Sequence, residues 1–375
     1  MAPDWPRIHT GRVSPVAVPP LALASALYRL GLRIDRAAHR LRGPARLPGL
    51  VVSVGGLTAG GAGKTPMTAA VAAWARDRGF RTAVLSRGYR RKDRGRVITV
   101  SDGERVPADA ARAGDEPCML ARLLPGVPVV VAGRRVLAGR AARRAWGTEL
   151  FVLDDGFQHW GLERDLDVVL LDATRPLGNG RLLPWGPLRE PASGLERAHL
   201  VVLTRCGAPD ESVPEPADAL LARFPGLPRV KSLHVPEALF LPGRSLEQPP
   251  SSLRGRRVAA FCGIARPGAF RETLAGLGAE VAAFRPFRDH HDYTRADVNA
   301  VLEQFRRSGA ELLLTTEKDW MRAGPLLEGE PDAGFLRIRL AFPSGGGPLF
   351  DRLERAAEEK EIGRASCRER VYCEV

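Results

Sequence analysis

Long hydrophobic runs are missing from this sequence of 375 residues. No unbroken apolar stretch approaches the roughly 18 residues that a membrane-spanning helix requires, so we expect no segment that crosses a bilayer. The apolar fraction of 44% is that of an ordinary globular protein. A chain of this length can bury the cores of two domains.

Cysteine is also scarce. Three cysteines are isolated along the chain: Cys118, Cys206 and Cys262. Their spacing indicates neither a zinc site nor a disulfide framework, which fits a reducing compartment. Cys367 and Cys373 lie in residues 361–375, which we interpret as a non-native tail left by read-through of a sequencing adapter. Resequencing the genomic locus tests this interpretation, and finding the same codons there would refute it.

Aromatic residues make up only 6% of the chain, and no basic stretch is interleaved with aromatic side chains that could stack on bases. The formal net charge is nonetheless +13, carried almost entirely by arginine. Such a charge fits a solvated basic surface, or attraction to a nucleic acid, a phosphorylated substrate or an acidic membrane. Because the stacking pattern is missing, we expect no nucleic-acid partner.

The most informative segment present is an apolar strand, beginning near Val51, that runs into a glycine-rich loop ending in Gly-Lys-Thr. Glycines let successive backbone N–H groups turn towards phosphate oxygens, the lysine adds a mobile charge, and the threonine hydroxyl can ligate Mg²⁺. A helix expected from about Pro66 to Arg76 points its positive end at the same anion. Thr58 departs from the strict pattern, which has glycine there. We predict a nucleotide-binding loop formed by Gly60, Gly61, Ala62, Gly63, Lys64 and Thr65.

Apolar runs alternate with helix-like segments after this loop. The runs expected to be strands are Thr82–Ser86, 127–132, 149–155, 167–172 and Leu200–Thr204, and after a proline-rich stretch 257–264 and 311–316. This alternation predicts an α/β fold of the P-loop NTPase type, with a mostly parallel sheet flanked by helices. We place an N-terminal segment at 1–48, a P-loop domain at 49–225 and a smaller α/β domain at 226–350.

A basic amphipathic helix is predicted in the N-terminal segment. Its apolar face consists of Leu23, Leu27, Leu30, Ile34, Ala37 and Leu41, and Arg29, Arg33, Arg36 and Arg40 repeat on a flanking face. Such a helix can lie in a membrane interface, or it can pack on its own domain. A signal peptide is rejected because three prolines interrupt the apolar stretch and the helical period continues past the supposed cleavage site.

Two carboxylates, Asp154 and Asp155, stand at the end of a predicted apolar strand. An acidic strand end is the usual partner of a phosphate loop, where it holds Mg²⁺ directly or through water. We therefore predict that both serve a magnesium ion, together with the hydroxyl of Thr65.

Four further clusters are rich in glycine and polar groups: Ser86-Arg-Gly-Tyr89, Gly114-Asp-Glu-Pro117, Asp155-Gly-Phe-Gln-His159 and residues 181–190. Together with the loop they resemble the tetraacyldisaccharide 4′-kinase family, the ATP-dependent lipid kinases of lipid A (lipopolysaccharide) biosynthesis. The resemblance continues through Phe261-Cys-Gly-Ile264, Asp289-His-His-Asp-Tyr293 and Thr315-Thr-Glu-Lys-Asp319, and covers the chain from about Pro19 to about Leu340. The family usually has Gly-Asn where this chain has Gly55-Gly56, so an asparagine side chain is missing from that loop.

The resemblance implies a reaction and a location. In the family, the γ-phosphate of ATP passes to the 4′-hydroxyl of tetraacyldisaccharide 1-phosphate at the cytoplasmic face of the bacterial inner membrane. The expected partners are therefore this lipid and the anionic membrane surface, with ATP and Mg²⁺ in the site. The basic helix would hold the enzyme peripherally on the bilayer in which the acylated substrate remains.

The resemblance also assigns residue roles. Asp115 would accept the hydroxyl proton, and His290, or His291 in its place, would raise the basicity of Asp115 or orient it. Since the histidines come from the second domain, we expect the cleft to close on substrate. Lys64 would act in catalysis, and Glu116 would join the magnesium ligands. Arg87, Tyr89 and Arg189 would face anionic or sugar groups of the substrate.

A different class of protein also uses such a loop with an amphipathic helix, namely the membrane-associated ATPase switch that regulates a protein partner. Those switches commonly carry a second lysine just before the Gly-Gly of the loop, and this chain has Ala59 there. The pattern therefore favours the kinase.

Overall fold

The computed structural model describes residues 14–61, 63–88, 97–108, 110–207 and 211–363. The predicted site residues Ala62 and Tyr89 lie outside the described residues, as do residues 1–13 and 364–375.

Helices and strands alternate along most of the chain. The α-helices among the described residues are α1 (Val18–Arg42), α2 (Lys64–Asp77), α3 (Ala110–Ala113), α4 (Asp115–Leu123), α5 (Arg135–Trp146), α6 (Glu215–Leu221), α7 (Pro267–Gly276), α8 (Arg295–Ser308), α9 (Glu317–Ala323) and α10 (Gly347–Glu359). The strands are β1 (Leu50–Gly56), β2 (Thr82–Ser86), β3 (Ile98–Ser101), β4 (Val129–Val131), β5 (Leu150–Asp154), β6 (Leu166–Asp172), β7 (Leu200–Thr204), β8 (Arg229–Leu241), β9 (Leu246–Gln248), β10 (Arg257–Cys262), β11 (Glu280–Pro286), β12 (Leu312–Thr316) and β13 (Ala333–Ala341).

One sheet of 13 strands runs through the described part of the chain, in the order β11-β10-β12-β13-β8-β7-β6-β1-β5-β2-β4-β3, with β9 paired to β8. The strand pairs are parallel except for β3 with β4, β8 with β9 and β8 with β13. A mostly parallel sheet flanked by helices confirms the predicted α/β fold class. The central strand β1 lies between β5 and β6, so the carboxyl ends of these strands surround the loop that follows β1.

Strand β8 joins two halves of this sheet. Its first residues pair in parallel with β7, from Arg229 to Ser232. The rest of β8 pairs antiparallel with β13, from Leu233 to Phe240. We call β1–β7 with their helices the P-loop half, and β9–β13 with α7–α9 the distal half. The predicted domain boundary at residues 225 and 226 falls just before β8, and it stays a prediction.

The C-terminal helix α10 returns to the P-loop half. Its Leu349 and Leu353 lie in the same buried cluster as Val71 of α2. The ring of Phe350 stacks on Trp74 with 6.1 Å between centroids. The chain therefore passes from the P-loop half to the distal half and back, which ties the two halves together at β8 and at α10.

The predicted strands agree closely with the observed ones where the apolar run is continuous. Both β2 and β7 have the predicted limits and are buried along their whole length. Five strands were not predicted: β3, β8, β9, β11 and β13. In β11 no residue is fully buried, and β8 mixes polar residues and Pro236 with apolar ones, so neither shows a continuous apolar run.

The N-terminal helix α1 has the predicted apolar face, but that face points away from the protein. Leu23, Leu27, Leu30 and Ile34 are between 52% and 64% exposed, and Leu41 is 89% exposed. The helix contacts the body through polar side chains instead. Ser25 donates a hydrogen bond to the carbonyl of Leu182, and Tyr28 to that of Arg189. The apolar face is therefore left uncovered.

One arginine of α1 departs from the predicted basic face. Arg36 turns inward, forms an ion pair with the fully buried Glu190, and lies over the ring of Trp160 at 4.7 Å. The sequence analysis placed Arg36 on one basic face with Arg29, Arg33 and Arg40 and did not predict its pairing with Glu190. A buried carboxylate needs a paired cation, and helical spacing alone does not reveal that partner.

By length and composition, the helical stretch from Pro15 to Arg42 could cross a membrane, and it is the one such stretch in the described residues. The sequence analysis asked for an unbroken apolar run, which is a stricter demand than a mostly apolar helix, and its expectation of no segment that crosses a bilayer stays a prediction. A single helix of this kind near an N-terminus is weak evidence of a membrane span.

Candidate active site

The phosphate loop lies between the end of β1 at Gly56 and the start of α2 at Lys64. Gly60 and Gly63 adopt φ values of 114° and 83°, which residues with a Cβ rarely reach. The loop lets Lys64 fold back, so that its Nζ lies 3.3 Å from the carbonyl oxygen of Gly60 and 3.6 Å from Oδ1 of Asp155. The Thr65 hydroxyl belongs to a side chain buried in the first turn of α2. This arrangement is that of a phosphate-binding loop.

His234 of β8 packs directly against this loop. A Cβ placed on Gly63 would stand 2.6 Å from Nε2 of His234. Burial lowers the pKa of His234 to about 4, and the charge of Arg205 acts in the same direction. The imidazole is therefore neutral at physiological pH and adds no positive charge to the loop.

Arg205 contacts the loop from the end of β7. Its Nη2 donates to the carbonyl oxygen of Gly61 at 2.9 Å, and its Nη1 pairs with Asp172. Arg266 of the distal half also pairs with Asp172, at 3.1 Å. An ionic bridge thus runs from the phosphate loop to the distal half.

Asp154 is buried at the end of β5. Its carboxylate accepts hydrogen bonds from Thr68 at 3.3 Å and from Ser86 at 3.1 Å. Burial raises the pKa of Asp154 to about 7, and the negative charges of Glu116 and Asp155 add to the rise. Its hydrogen bonds thus only partly offset the cost of ionising it there, so a cation at this position would stabilise the carboxylate.

Asp155 has the opposite electrostatic character. Burial alone would raise its pKa, but Lys64 and Arg189 outweigh burial and lower it to about 2. Arg189 Nη1 lies 2.7 Å and 2.6 Å from the two oxygens of Asp155. Arg189, predicted to face substrate, therefore holds Asp155 in this structure.

The donor atoms fit magnesium with few protein ligands. The described residues contain no group of three or more His, Cys, Asp and Glu side chains placed to hold a metal. Mg²⁺ prefers oxygen donors, commonly keeps several waters and takes one or two carboxylates beside phosphate oxygens. Asp154, with its raised pKa, and the hydroxyl of Thr65 are suitable donors, whereas Asp155 is already neutralised by its two cations.

Asp115 begins α4, and it meets a group from the distal half. Arg322 of α9 donates from Nε to Oδ2 of Asp115 at 2.6 Å and also from Nη2 to the same oxygen. The Nη2 of Arg322 lies 3.3 Å from Nδ1 of His290. The structure thus brings the predicted base and the predicted histidine to one guanidinium.

His290 lies between two cations. Lys318 Nζ is 3.1 Å from its Nε2, and Arg322 faces its other nitrogen. Burial lowers the pKa of His290, and Lys318 adds to this effect. Its backbone has a φ of 57°, and its N–H donates to the carbonyl of Gly263 at 3.0 Å. A neutral imidazole is therefore held at the boundary of the two halves.

His291 has a different environment. Its Nε2 lies 3.1 Å from Oδ2 of Asp297, the residue that completes the N-terminal cap of α8. Its ring stacks on Phe287 with centroids 4.7 Å apart. The geometry favours His290 over His291 as the histidine that acts with Asp115, and that role stays a prediction.

The remaining predicted substrate residue is Arg87, which follows β2 and is exposed. Burial lowers the pKa of His159 to about 3, together with the charges of Arg135, Arg164 and, to a smaller extent, Arg87. Arg87 therefore lies within electrostatic reach of the loop that follows β5.

Four residues of this site were missed by the sequence analysis: Arg205, His234, Lys318 and Arg322. Lys318 was part of a recognised motif without an assigned role, and Arg322 stands one helical turn after it on α9. Arg205 and His234 carry no local signal, because only the sheet order brings β7 and β8 beside the loop.

Comparison with known proteins identifies the family. A family model described as "Tetraacyldisaccharide-1-P 4'-kinase" matches residues 17–353. The chain is 48% identical over 328 residues to a protein of Anaeromyxobacter dehalogenans (strain 2CP-C) named "Tetraacyldisaccharide 4'-kinase", with 86% of each chain covered. The chain belongs to this kinase family.

Further relatives extend the comparison. A protein of the same name from Syntrophus aciditrophicus (strain SB) is 40% identical over 329 residues, which cover 85% of this chain and 88% of that one. A crystal structure of an "apo" form of LpxK from Aquifex aeolicus in complex with ATP has a TM-score of 0.71 and 33% identity, and covers 90% of this chain and 98% of that chain. The predicted resemblance to the tetraacyldisaccharide 4′-kinase family is confirmed, and the chain is an enzyme of the kinase class.

The Gly55-Gly56 pair, where the family usually has Gly-Asn, proves to be the buried end of β1 rather than part of the loop. A Cβ on Gly55 would stand 2.5 Å from the Cβ of Phe157, so glycine is required there. A Cβ on Gly56 would stand 3.2 Å from the carbonyl oxygen of Leu170. An asparagine at position 56 would therefore need this carbonyl to shift by a few tenths of an ångström.

Gly63→Ala should abolish measurable ATP binding and lower the free energy of unfolding by about 1–3 kcal/mol. The new methyl group would collide with His234 and force a φ of 83° on a residue with a Cβ. Calorimetric titration with ATP and urea unfolding measure the two effects. Gly31→Ala is the matched control, because a Cβ there meets nothing within 4 Å, and ATP affinity should not change. Retained affinity and stability in Gly63→Ala would contradict this account.

Asp154→Asn should stabilise the magnesium-free protein at pH 8. Because the pKa of Asp154 is about 7 in the fold and about 4 in the unfolded chain, the wild type loses stability as pH rises from 4 to 7. The variant escapes this loss, so its advantage in free energy of unfolding should be at least about 1 kcal/mol at pH 8 and should vanish near pH 4. Urea unfolding at both pH values measures it.

The exposed Asp218, paired with Arg229, gives the control for this measurement. Asp218→Asn should change stability by less than about 0.5 kcal/mol at either pH. A variant Asp154→Asn that is less stable than the wild type at pH 8 would show that the raised pKa is not a property of this site.

Proposed function

We propose that this chain transfers the γ-phosphate of ATP to the 4′-hydroxyl of tetraacyldisaccharide 1-phosphate at the cytoplasmic face of the inner membrane. The observation that carries the proposal is the meeting of three groups at one edge of the sheet. The phosphate loop with Lys64 contacts Asp155, Glu116 is close enough to help raise the pKa of Asp154, and Asp115 is the neighbour of Glu116. A phosphate donor, a metal site and a proton acceptor are thereby adjacent.

In this proposal the phosphate loop binds the phosphates of ATP. Backbone N–H groups of the loop and the positive end of α2 surround the β- and γ-phosphates, and Lys64 adds a charge that can follow the moving phosphoryl group. Thr65, Glu116 and Asp154 are the residues that would hold magnesium, whereas Asp155, also predicted as a ligand, is paired with Lys64 and Arg189. When bound, Mg²⁺ neutralises charge on the phosphate oxygens.

Asp115 accepts the proton of the attacking hydroxyl in this proposal. The hydroxyl oxygen forms its new bond to phosphorus, the bond from phosphorus to the leaving oxygen breaks, and ADP departs with that electron pair. The hydroxyl proton passes to a carboxylate oxygen of Asp115. Arg87, Tyr89 and Arg189 are assigned to the anionic and sugar groups of the lipid. Arg189 in addition holds Asp155.

The exposed apolar face of α1 supports a peripheral location on the membrane. Leucine and isoleucine side chains that are more than half exposed gain free energy by entering the acyl boundary of a bilayer. Arg29, Arg33 and Arg40 are exposed beside this face and would meet anionic headgroups. The lipid substrate stays in that same bilayer, so this helix brings the site to it.

A direct assay tests the reaction. Purified protein, Mg²⁺ and ATP labelled at the γ-phosphate are mixed with tetraacyldisaccharide 1-phosphate in detergent micelles. A labelled bisphosphorylated lipid is the expected product. Inorganic phosphate released without labelled lipid would favour the membrane-associated ATPase switch instead.

Asp115→Asn should lower kcat by about 10²–10⁴-fold, because the amide cannot accept the hydroxyl proton. ATP affinity should stay within about twofold of the wild type, since the loop is unchanged. Steady-state kinetics of lipid phosphorylation and calorimetric titration with ATP separate the two. Asp332→Asn, which removes an exposed carboxylate paired with Arg244, is the control and should leave both unchanged. Equal losses of turnover and ATP affinity in Asp115→Asn would assign Asp115 a structural role.

The double substitution Leu27→Glu with Leu30→Glu should weaken binding to vesicles of anionic phospholipid by more than about tenfold, because two apolar contacts become charged. Vesicle co-sedimentation at fixed salt measures the partition. Leu137→Glu is the matched control, since Leu137 of α5 is an isolated exposed leucine at 38%. Unchanged partition of the double variant would exclude α1 as the membrane contact.

A further inference from the structure

Arg322 contacts Asp115 of the P-loop half and both His290 and His291 of its own distal half, and no role assigned so far explains this set of contacts. It stands on α9 in the distal half, and its side chain is only 9% exposed. It donates to Oδ2 of Asp115 with two nitrogens and to the carbonyl oxygen of His291 with Nη1 at 2.9 Å. Its Nη2 also faces Nδ1 of His290 at 3.3 Å. A guanidinium is planar and only donates, so these contacts fix its orientation.

The same contacts fix the carboxylate of Asp115. Both donors from Arg322 converge on Oδ2. Among the described residues, Oδ1 of Asp115 accepts no hydrogen bond, so it is the oxygen left for a substrate hydroxyl. Two donors of one planar guanidinium that converge on Oδ2 hold that oxygen against Arg322, with a geometry that the point charge of an ammonium does not impose.

His290 lies beside the same guanidinium group of Arg322. A neutral imidazole has one nitrogen with a free lone pair. The groups that face the two ring nitrogens of His290 include the donors Lys318 and Arg322, and the carboxylate of Asp289 lies 4.0 Å from Nε2. In either tautomer one cation is bonded and the other only lies close. A doubly protonated ring could accept from neither, so these contacts suit the neutral ring that burial favours by lowering the pKa of His290.

We propose that Arg322 is a positioning residue that joins Asp115 of the P-loop half and His290 of the distal half into one proton-accepting unit. The inference rests on the proposed kinase function and deepens it. Arg322 directs Oδ1 of Asp115 towards the acceptor hydroxyl, and it does so only while α9 is seated against α4. The base is thereby correctly oriented only when the two halves are together.

Arg322→Gln tests this assignment. We expect kcat for lipid phosphorylation to fall about 10²-fold, the loss expected for a misplaced catalytic group, while KM for ATP stays within about twofold. Arg322→Lys keeps the charge but not the fork, so it should recover only part of kcat. Added guanidinium ion should restore part of the activity of Arg322→Gly. A purely structural role predicts neither the split between kcat and KM nor this rescue.

A double-mutant cycle gives the sharpest readout. If Arg322 acts through Asp115, adding Arg322→Gln to Asp115→Asn should lower kcat by less than about twofold further. Arg306→Gln is the control, because Arg306 forms an exposed ion pair with Glu330 in the same half, and kcat should not change. Thermal unfolding checks each variant, and Arg322→Lys serves where Arg322→Gln is unfolded.

The outcomes separate the two proposals. A wild-type protein that forms no phosphorylated lipid refutes the proposed function. A wild-type protein that forms it, with Arg322→Gln and Arg322→Lys retaining full kcat, refutes the positioning role alone. Multiplicative losses in the double variant would also refute it, because they would show that Arg322 and Asp115 act independently.

Discussion

The compensation of buried negative charge at the carboxyl end of β5 is the constraint on which the site depends. Asp154 and Asp155 are neighbours in the chain, yet their pKa values are moved in opposite directions, to about 7 and about 2. Lys64 and Arg189 lower the pKa of Asp155, whereas the charge of Arg135 and the hydrogen bond from Ser86 only partly offset the burial of Asp154, so a further cation would stabilise its carboxylate. This asymmetry makes one carboxylate an anchor for the loop and the other a candidate metal ligand.

The two halves of the sheet are joined covalently at β8 and at the segment leading to α10, but their chemistry meets through ion pairs. Arg266 reaches Asp172 beside the phosphate loop, and Arg322 reaches Asp115. The side chains of Arg322 and Asp115 are only 9% and 18% exposed, so breaking this pair would leave buried charges poorly compensated. The shared strand and this ion pair therefore both hold the halves together at the base. His290 lies beside that contact in this structure, and closure of the cleft on substrate stays a prediction.

Continuous apolar strands and glycine-rich motifs made much of the P-loop half predictable. β2 and β7 are buried on both faces, and such strands read as unbroken apolar runs. β11 and β8 were not predicted because many of their residues are only half-buried and some are polar. The resemblance located Asp115 and His290 but not Arg322, since a basic residue one turn after Lys318 looks like any charge on a helix surface. Only the packing of α9 on α4 gives it a partner.

The orientation of α1 follows from the same need to neutralise buried carboxylates. Glu190 has no exposed surface and is paired with both Arg36 and Arg197, and losing one partner would leave a buried charge poorly compensated. Arg36 can reach Glu190 only if its face of α1 turns inward, which is the face that also carries Tyr28 and its hydrogen bond to the carbonyl of Arg189. Leu27 and Ile34 are then forced outward. The buried carboxylate of Glu190 thus determines which side of α1 faces away from the protein. The inward side of α1 also contacts Arg189, the arginine that holds Asp155, through Tyr28.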